Sequence, residues 1–207
     1  GLTLLAVYLL TEWYHPSPFI KLQILSRRNL GLGFSLFVFL LIVLTSGALL
    51  PMRYLEAIQN YRPQQMASIG LMIALPQLIL GSVVAIFLYK KWIDARWIFA
   101  SGLLLIALSC FLGMHLNSEW NRDQFVLIQS LQAFGQPMAI VSMLFLCTSV
   151  VQPAEGPYVS GTINTLRAFG TLLGGAVVGQ FMVIRGQFHA EMLSSHAAFT
   201  HPTLAEP

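Results

Sequence analysis

The chain has 207 residues, of which 56% are hydrophobic and only 9% are charged, against about 45–50% and about 25% in an ordinary soluble domain. This composition is typical of a membrane protein and excludes an ordinary water-soluble domain. The net charge of +3 comes from Lys and Arg residues that are spread over the loops. Because they form no basic stripe, no nucleic-acid partner is predicted.

The chain opens with an apolar stretch, GLTLLAVYLL, and continues into a polar segment. Residues 1–11 cover only about half of a bilayer, so we expect them to be the end of a preceding transmembrane helix. Residues 12–29 contain two prolines and the basic residues Lys21, Arg27 and Arg28. They are predicted to form a cytoplasmic linker that includes a short interfacial helix.

Five long apolar runs follow within residues 30–184. Each can cross about 30 Å of hydrocarbon as a helix, which takes about 20 residues. The predicted spans cover approximately residues 30–50, 65–89, 97–116, 124–151 and 158–184. The first is expected to stop at Pro51, and the polar residues after it are expected to form an extended outer helix end and a loop. Bare backbone cannot face lipid, and the sequence lacks the alternating pattern of membrane strands. The predicted fold is therefore an all-α transmembrane bundle.

Residues 185–207 are predicted to form an extracytoplasmic loop or tail, because the loops at 12–29 and 89–96 are the more basic ones and are expected to be cytoplasmic. The tail contains His189, His196 and His201, whose spacing matches no standard metal-ligand pattern. No metal or cofactor is expected. No nucleophile has an evident histidine and acid companion, so the chain is not predicted to be an enzyme.

Three glutamines of the fourth span, Gln129, Gln132 and Gln136, lie within about 60° of one another on a helix. Amides on one face either bridge neighbouring helices by hydrogen bonds or line a water-filled cavity. Pro137 marks a break in the same region, and Gln77 lies at the centre of the second span. These four amides are candidates for contact with a substrate.

The fifth span has a polar side and an apolar side. Its polar stripe consists of Ser160, Asn164, Arg167, Thr171 and Gly174. Arg167 is expected about 13 Å into the membrane, where a charge costs at least about 2.5–3.5 kcal/mol. Either this arginine reaches the membrane surface, or it faces the protein interior, where it positions helices or meets an anion or a carboxylate. Asn164 and Arg167 are further candidates for the substrate cavity.

The same span contains two pairs of glycines at four-residue spacing, Gly170 with Gly174 and Gly175 with Gly179. Such pairs allow helices to approach closely. No Asp or Glu lies within the five predicted spans. A proton-driven carrier usually needs a membrane carboxylate, so its acid would belong to a part of the protein outside this chain.

Four stretches of the chain resemble the C-terminal half of a major facilitator superfamily transporter, in the fourteen-helix drug:proton antiporter branch of the EmrB/QacA type. They are PSPFIKLQILSRRNLGLG, LLPMRYLEAIQNYRPQQMASIGLMIALPQ, WIDARW and GTINTLRAFGTLLGGAVVG. The last is the most specific of the four. WIDARW resembles the superfamily's charged cytoplasmic loop, although the glycine that usually opens that motif is absent.

The resemblance implies a multi-pass inner-membrane protein that exports drugs or toxic small organic molecules in exchange for protons by alternating access. Gln129, Gln132, Gln136 and Asn164 would contact the small-molecule substrate, and Asp94 and Arg96 would latch the two halves. The other partners implied are the lipid bilayer and the N-terminal half. Gram-negative members of the branch also work with a periplasmic adaptor protein. Two alternatives remain open, a facilitator carrier for another metabolite and a non-transporting membrane scaffold.

Overall fold

The structure, a computed structural model, describes residues 2–14, 27–117, 119–152 and 155–200. These ranges contain α-helices, one short 3-10 helix and no strand. The α-helices are α1 (Leu2–Tyr14), α2 (Arg28–Ala57), α3 (Pro63–Tyr89), α4 (Ala95–Gly113), α5 (Phe125–Thr148) and α6 (Gly156–Thr200). The 3-10 helix, Arg122–Gln124, leads into α5.

Helices α2 to α6 are each long and apolar enough to cross a membrane, which confirms the predicted all-helical protein with five spans. Helix α1 extends the predicted end of a preceding span to Tyr14. Arg28 and Asn29 begin α2 instead of ending the linker. The predicted interfacial helix falls mainly on residues 15–26, which lie outside the described residues.

The helix does not stop with the first predicted span at Pro51, because α2 continues through this proline to Ala57, which fits the outer helix end predicted after it. Proline has no N–H, so Pro51 leaves the carbonyl group of Gly47 without its usual helical donor. The side chain of Gln129, on α5, donates to that carbonyl oxygen at 3.4 Å. A neighbouring helix thus replaces the missing hydrogen bond. The chain turns only after Ala57, where Asn60 has a φ of 53°.

The prediction of a loop after Ile184 is wrong for residues 185–200, since α6 continues without a break to Thr200. This stretch contains no proline and a single glycine, and it is rich in the helix formers Ala, Glu, Gln, Met and Leu. Helix α6 is about 67 Å long, more than twice the thickness of the hydrocarbon core. Residues 201–207 lie outside the described residues.

Helix α5 lies at the centre of the bundle. Half of its most apolar stretch is buried (50%), compared with 11% for α3. It packs against α2, α3 and α4, whereas α6 packs mainly against α2. The largest buried cluster joins Phe34 and Phe37 of α2 to Ala139 and Met143 of α5. The outer faces stay apolar, as shown by the exposed side chain of Phe39, and suit a lipid environment.

Glycines permit the closest helix contacts. A Cβ atom on Gly102 of α4 would lie 2.6 Å from the backbone nitrogen of Ala139 in α5, and one on Gly135 would lie 3.0 Å from the carbonyl oxygen of Gly102. The backbones of α4 and α5 therefore touch at this point. These two residues were not among the packing glycines predicted from the sequence.

The predicted packing glycines on α6 fall into two groups. A Cβ atom on Gly170 would lie 2.7 Å from the side chain of Leu41, and one on Gly174 would lie 2.9 Å from that of Thr45, so both glycines face α2. The positions of Gly175 and Gly179 have open space around them. Only the first pair lies at a helix contact in this structure.

Candidate functional site

A continuous row of side-chain hydrogen bonds crosses the bundle from α3 through α5 to α4. Gln77 donates to the Oε1 atom of Gln136 at 2.5 Å, and Gln136 donates to the Oε1 atom of Gln132 at 3.1 Å. Gln132 then donates to the hydroxyl oxygen of Ser109 at 3.0 Å, and Ser109 donates to the carbonyl oxygen of Ile128 at 3.3 Å. We call the side chains of Gln77, Gln136, Gln132 and Ser109 the amide row.

The amide row is buried and runs in one direction. Gln132 and Ser109 are each 1% exposed and Gln136 is 8% exposed, while Gln77 is partly buried. The three glutamines all donate in the direction of α4, and Ser109 passes the chain back to α5 by donating to Ile128, so each hydrogen bond polarises the next and strengthens it. The predicted amide face is therefore a bridge between helices, and the cavities beside it are lined by the same residues.

Gln129 lies beside the row without belonging to it. Its side chain is fully buried, and its Nε2 atom donates to the carbonyl oxygen of Gly47. Its Oε1 atom has no hydrogen-bond partner, and it is the one buried side-chain acceptor of this kind within the described ranges. A buried acceptor without a donor costs about 1–3 kcal/mol. This acceptor is thus open to a donor other than the protein groups of the described ranges.

One cavity, the α3-side cavity, lies between α2, α3 and α5. Its volume is about 180 Å³, and its polar lining consists of Gln77, Gln129 and Gln136. The remaining wall is apolar and includes Leu44 and Ile73. A water molecule occupies about 30 Å³, so the cavity has room for a few waters or a small ligand.

A second cavity, the α4-side cavity, lies between α2, α4 and α5 and is also lined by Met182 of α6. Its volume is about 620 Å³, within the range of about 300–1,000 Å³ that is usual for small-molecule sites. Gln132 and Ser109 form part of its wall, and Arg53 and Tyr54 lie at the Ala57 end of α2. The amide row therefore connects the linings of two cavities.

Gly47 allows α2 to pass close to the amide row. A Cβ atom at this position would lie 2.9 Å from the Nε2 atom of Gln132. The same residue supplies the carbonyl oxygen that accepts from Gln129. Neither Gly47 nor Ser109 was predicted as part of the site. The only sequence signals of Gly47 and Ser109 are that a glycine and a serine occur within otherwise apolar spans.

Asn164 and Arg167 lie on α6 and are not joined to the amide row. Both side chains are exposed. Asn164 lines a separate cavity of about 340 Å³ near the end of α5, together with Thr148, Gln152 and Ser160. The structure therefore does not gather the six predicted substrate residues into one site. It brings together the four glutamines and leaves the two residues of α6 apart.

The charged loop residues Asp94 and Arg96 have a local role. The carboxylate of Asp94 accepts a hydrogen bond from the backbone N–H of Arg96 at 3.1 Å and so caps the start of α4. The side chain of Arg96 is exposed. Their predicted role as a latch between two halves stays a prediction.

An ion pair that the sequence did not indicate joins the starts of α2 and α6. The guanidinium group of Arg27 donates to both carboxylate oxygens of Glu155, at 2.9 and 3.0 Å. The side chain of Glu155 is only 15% exposed. This bidentate geometry fixes the orientation of the two groups as well as their distance.

Comparison with protein families, curated proteins and solved structures gives no match to this chain. Among the described residues, no group of three or more His, Cys, Asp and Glu side chains could hold a metal ion. The chemistry available at the amide row is therefore neutral hydrogen bonding by amides and one hydroxyl group. Such groups can bind and orient a small molecule inside a membrane.

Proposed function

We propose that this chain is part of a secondary active transporter, the C-terminal half of a major facilitator protein of the inner membrane. In this proposal it exports drugs or toxic small organic molecules in exchange for protons by alternating access. The motif resemblance supports the family, and the helix packing and the amide row support the function independently.

The helix packing has the pattern expected of an inverted repeat. Helix α3 packs on α5, and α6 packs on α2. Exchanging α2 with α5 and α3 with α6 turns the first contact into the second. Successive spans alternate in direction, so α2 and α5 cross the membrane in opposite senses. Inverted repeats of three helices are the architecture of each half of a major facilitator transporter.

The observation that carries the transport function is the amide row between two cavities. Polar side chains inside a membrane are costly and usually mark a pathway for a substrate or an ion. Here three glutamines and a serine span three helices, and Gln129 adds an unpaired acceptor beside them. Neutral amides suit cargo of varied chemistry, because they impose no charge requirement on the molecule.

The proposal is tested by replacing Gln132 with methionine, which keeps the length of the side chain but removes both hydrogen bonds. In membrane vesicles containing the complete transporter, we expect efflux of ethidium driven by a proton gradient to fall about tenfold, the effect of about 1.4 kcal/mol of lost polar interaction. The matched control is Gln64→Met, because Gln64 is an exposed residue at the start of α3.

Efflux should be normalised to the amount of folded protein in the vesicles. A Gln132→Met variant that transports as well as wild type would contradict the role given to the amide row. Absence of gradient-driven efflux of any organic cation or neutral dye by the wild-type transporter would contradict the proposed function itself.

A further inference from the structure

The depth of Arg167 in the membrane follows from the contact between α6 and α2. Gly170 packs against Leu41. Leu41 lies about 20 Å along α2 from Arg28 and about 18 Å from Arg53, and is thus near the middle of the span. Arg167 precedes Gly170 by three residues, or about 4.5 Å of helix. Its backbone therefore lies deep within the hydrocarbon region.

Arg167 has no charged partner in the described part of the chain. Its side chain is exposed and makes no ion pair or hydrogen bond there. The nearest carboxylate before Arg167 in the chain is that of Glu155, just ahead of α6, which is about 18 Å away along the helix axis and paired with Arg27. The nearest one after it is that of Glu191, about 36 Å away in the other direction. The described ranges of the chain thus supply no counter-charge at the depth of Arg167.

The surface around Arg167 is polar. Asn164 and Thr171 are exposed one turn away on either side, and together with Arg167 they form a stripe beside the contact with α2. Reaching the membrane surface is an option mainly for arginines near helix ends, and Arg167 lies about 16 Å from the start of α6. Charged residues at this depth face the protein interior or a water-filled cavity, and they pair with one another or with backbone carbonyl groups.

We propose that the stripe of Asn164, Arg167 and Thr171 is a docking surface for a transmembrane segment that carries an Asp or Glu side chain opposite Arg167. The positive charge of Arg167 favours a segment of opposite charge, and carboxylates are the anionic side chains of proteins at neutral pH. The inference rests on the proposed function, in which the segment belongs to the rest of the transporter. It assigns Arg167 as a positioning residue for the acid that exchanges protons.

The test measures unfolding rather than transport. The complete transporter, in lipid nanodiscs, is unfolded by heat between pH 4 and pH 8 as wild type, Arg167→Gln and Arg167→Lys. At neutral pH we expect Arg167→Gln to lower the Tm of the complete transporter by about 3–6 °C, the shift for a loss of about 3–5 kcal/mol when one partner of a buried ion pair is removed. A carboxylate held ionised by a cation stabilises the fold at neutral pH, and this contribution is lost as the pH falls. The difference in Tm should therefore be smaller at pH 4 than at pH 8.

Arg185→Gln is the matched control, because Arg185 is an exposed arginine of the same helix, five turns away. It should leave the Tm and its pH dependence unchanged. Arg167→Lys keeps the charge and should keep the pH dependence, and loss of that dependence would count against the inference even where Arg167→Gln yields little folded protein.

A loss of Tm in Arg167→Gln that is equal at pH 4 and at pH 8 would overturn the inference, since lipid phosphate or water would then hold the arginine. No loss of Tm, or a lysine variant without the wild-type pH dependence, would overturn it as well. A transporter that exports cargo but lacks the pH-dependent contribution refutes only this inference. A protein that has this contribution but moves no cargo refutes only the proposed function.

Discussion

Replacing Gly102 with alanine should force α4 and α5 apart. The new Cβ atom would lie 2.6 Å from the backbone nitrogen of Ala139, where ordinary contact begins at 3.4 Å. The obstacle is backbone, so no side-chain rotation can relieve the contact. Overpacking of this kind costs about 1–3 kcal/mol. Separation of α4 from α5 also weakens the hydrogen bond from Gln132 to Ser109, and such bonds in membrane proteins contribute about 0.6 kcal/mol.

Helix propensity acts in the opposite direction, because alanine is favoured over glycine within a helix by up to about 1 kcal/mol. The matched control, Gly81→Ala in α3, has no atom within 4 Å of the added Cβ and gains only this term. In equilibrium unfolding in mixed micelles, we expect Gly102→Ala to lower the free energy of unfolding by about 1–3 kcal/mol and Gly81→Ala to leave it unchanged or raise it. Equal effects of the two substitutions would falsify the close contact between α4 and α5.

Two further predictions concern α6. Gly174→Leu should loosen the contact between α6 and α2 and lower the free energy of unfolding by about 1–3 kcal/mol. Gly175→Leu should change it little, because only Gly174 faces α2. Equal proteolysis rates of the two variants would contradict this packing. Glu155→Gln should cost about 1 kcal/mol by breaking the bidentate pair with Arg27, and a double-mutant cycle with Arg27→Gln should recover that coupling at low salt. A coupling energy of zero would show that the pair contributes nothing to stability.

The five spans could be predicted because the length and apolarity of a segment suffice to identify a membrane helix. The ends of the helices could not be predicted in the same way. In the sequence, Pro51 marks the predicted end of the first membrane span. Helix α2 continues through it because an amide on α5 donates to the freed carbonyl group of Gly47. That compensation is a tertiary contact, which local sequence does not record.

The candidate site, like the helices, could be predicted from the sequence only in part. Helical spacing places Gln129, Gln132 and Gln136 on one face, and the structure joins the last two to Gln77 in one hydrogen-bonded row. Spacing does not tell which helix faces the amides, so Ser109 of α4 was missed. It also could not distinguish the two glycine pairs of α6, because both have the same four-residue interval and only the orientation of the helix decides which of them meets α2.

The glutamines of the amide row all donate in the same direction, and this sets the polarity of the row as a whole. All of its NH₂ groups point toward Ser109, so the row has an electropositive end at α4 and an electronegative end at the oxygen of Gln77. Turning over one amide alone would set two NH₂ groups, or two oxygens, against each other. The three glutamines therefore share one polarity, and a molecule bound at either end of the row meets the polarity that all three set together.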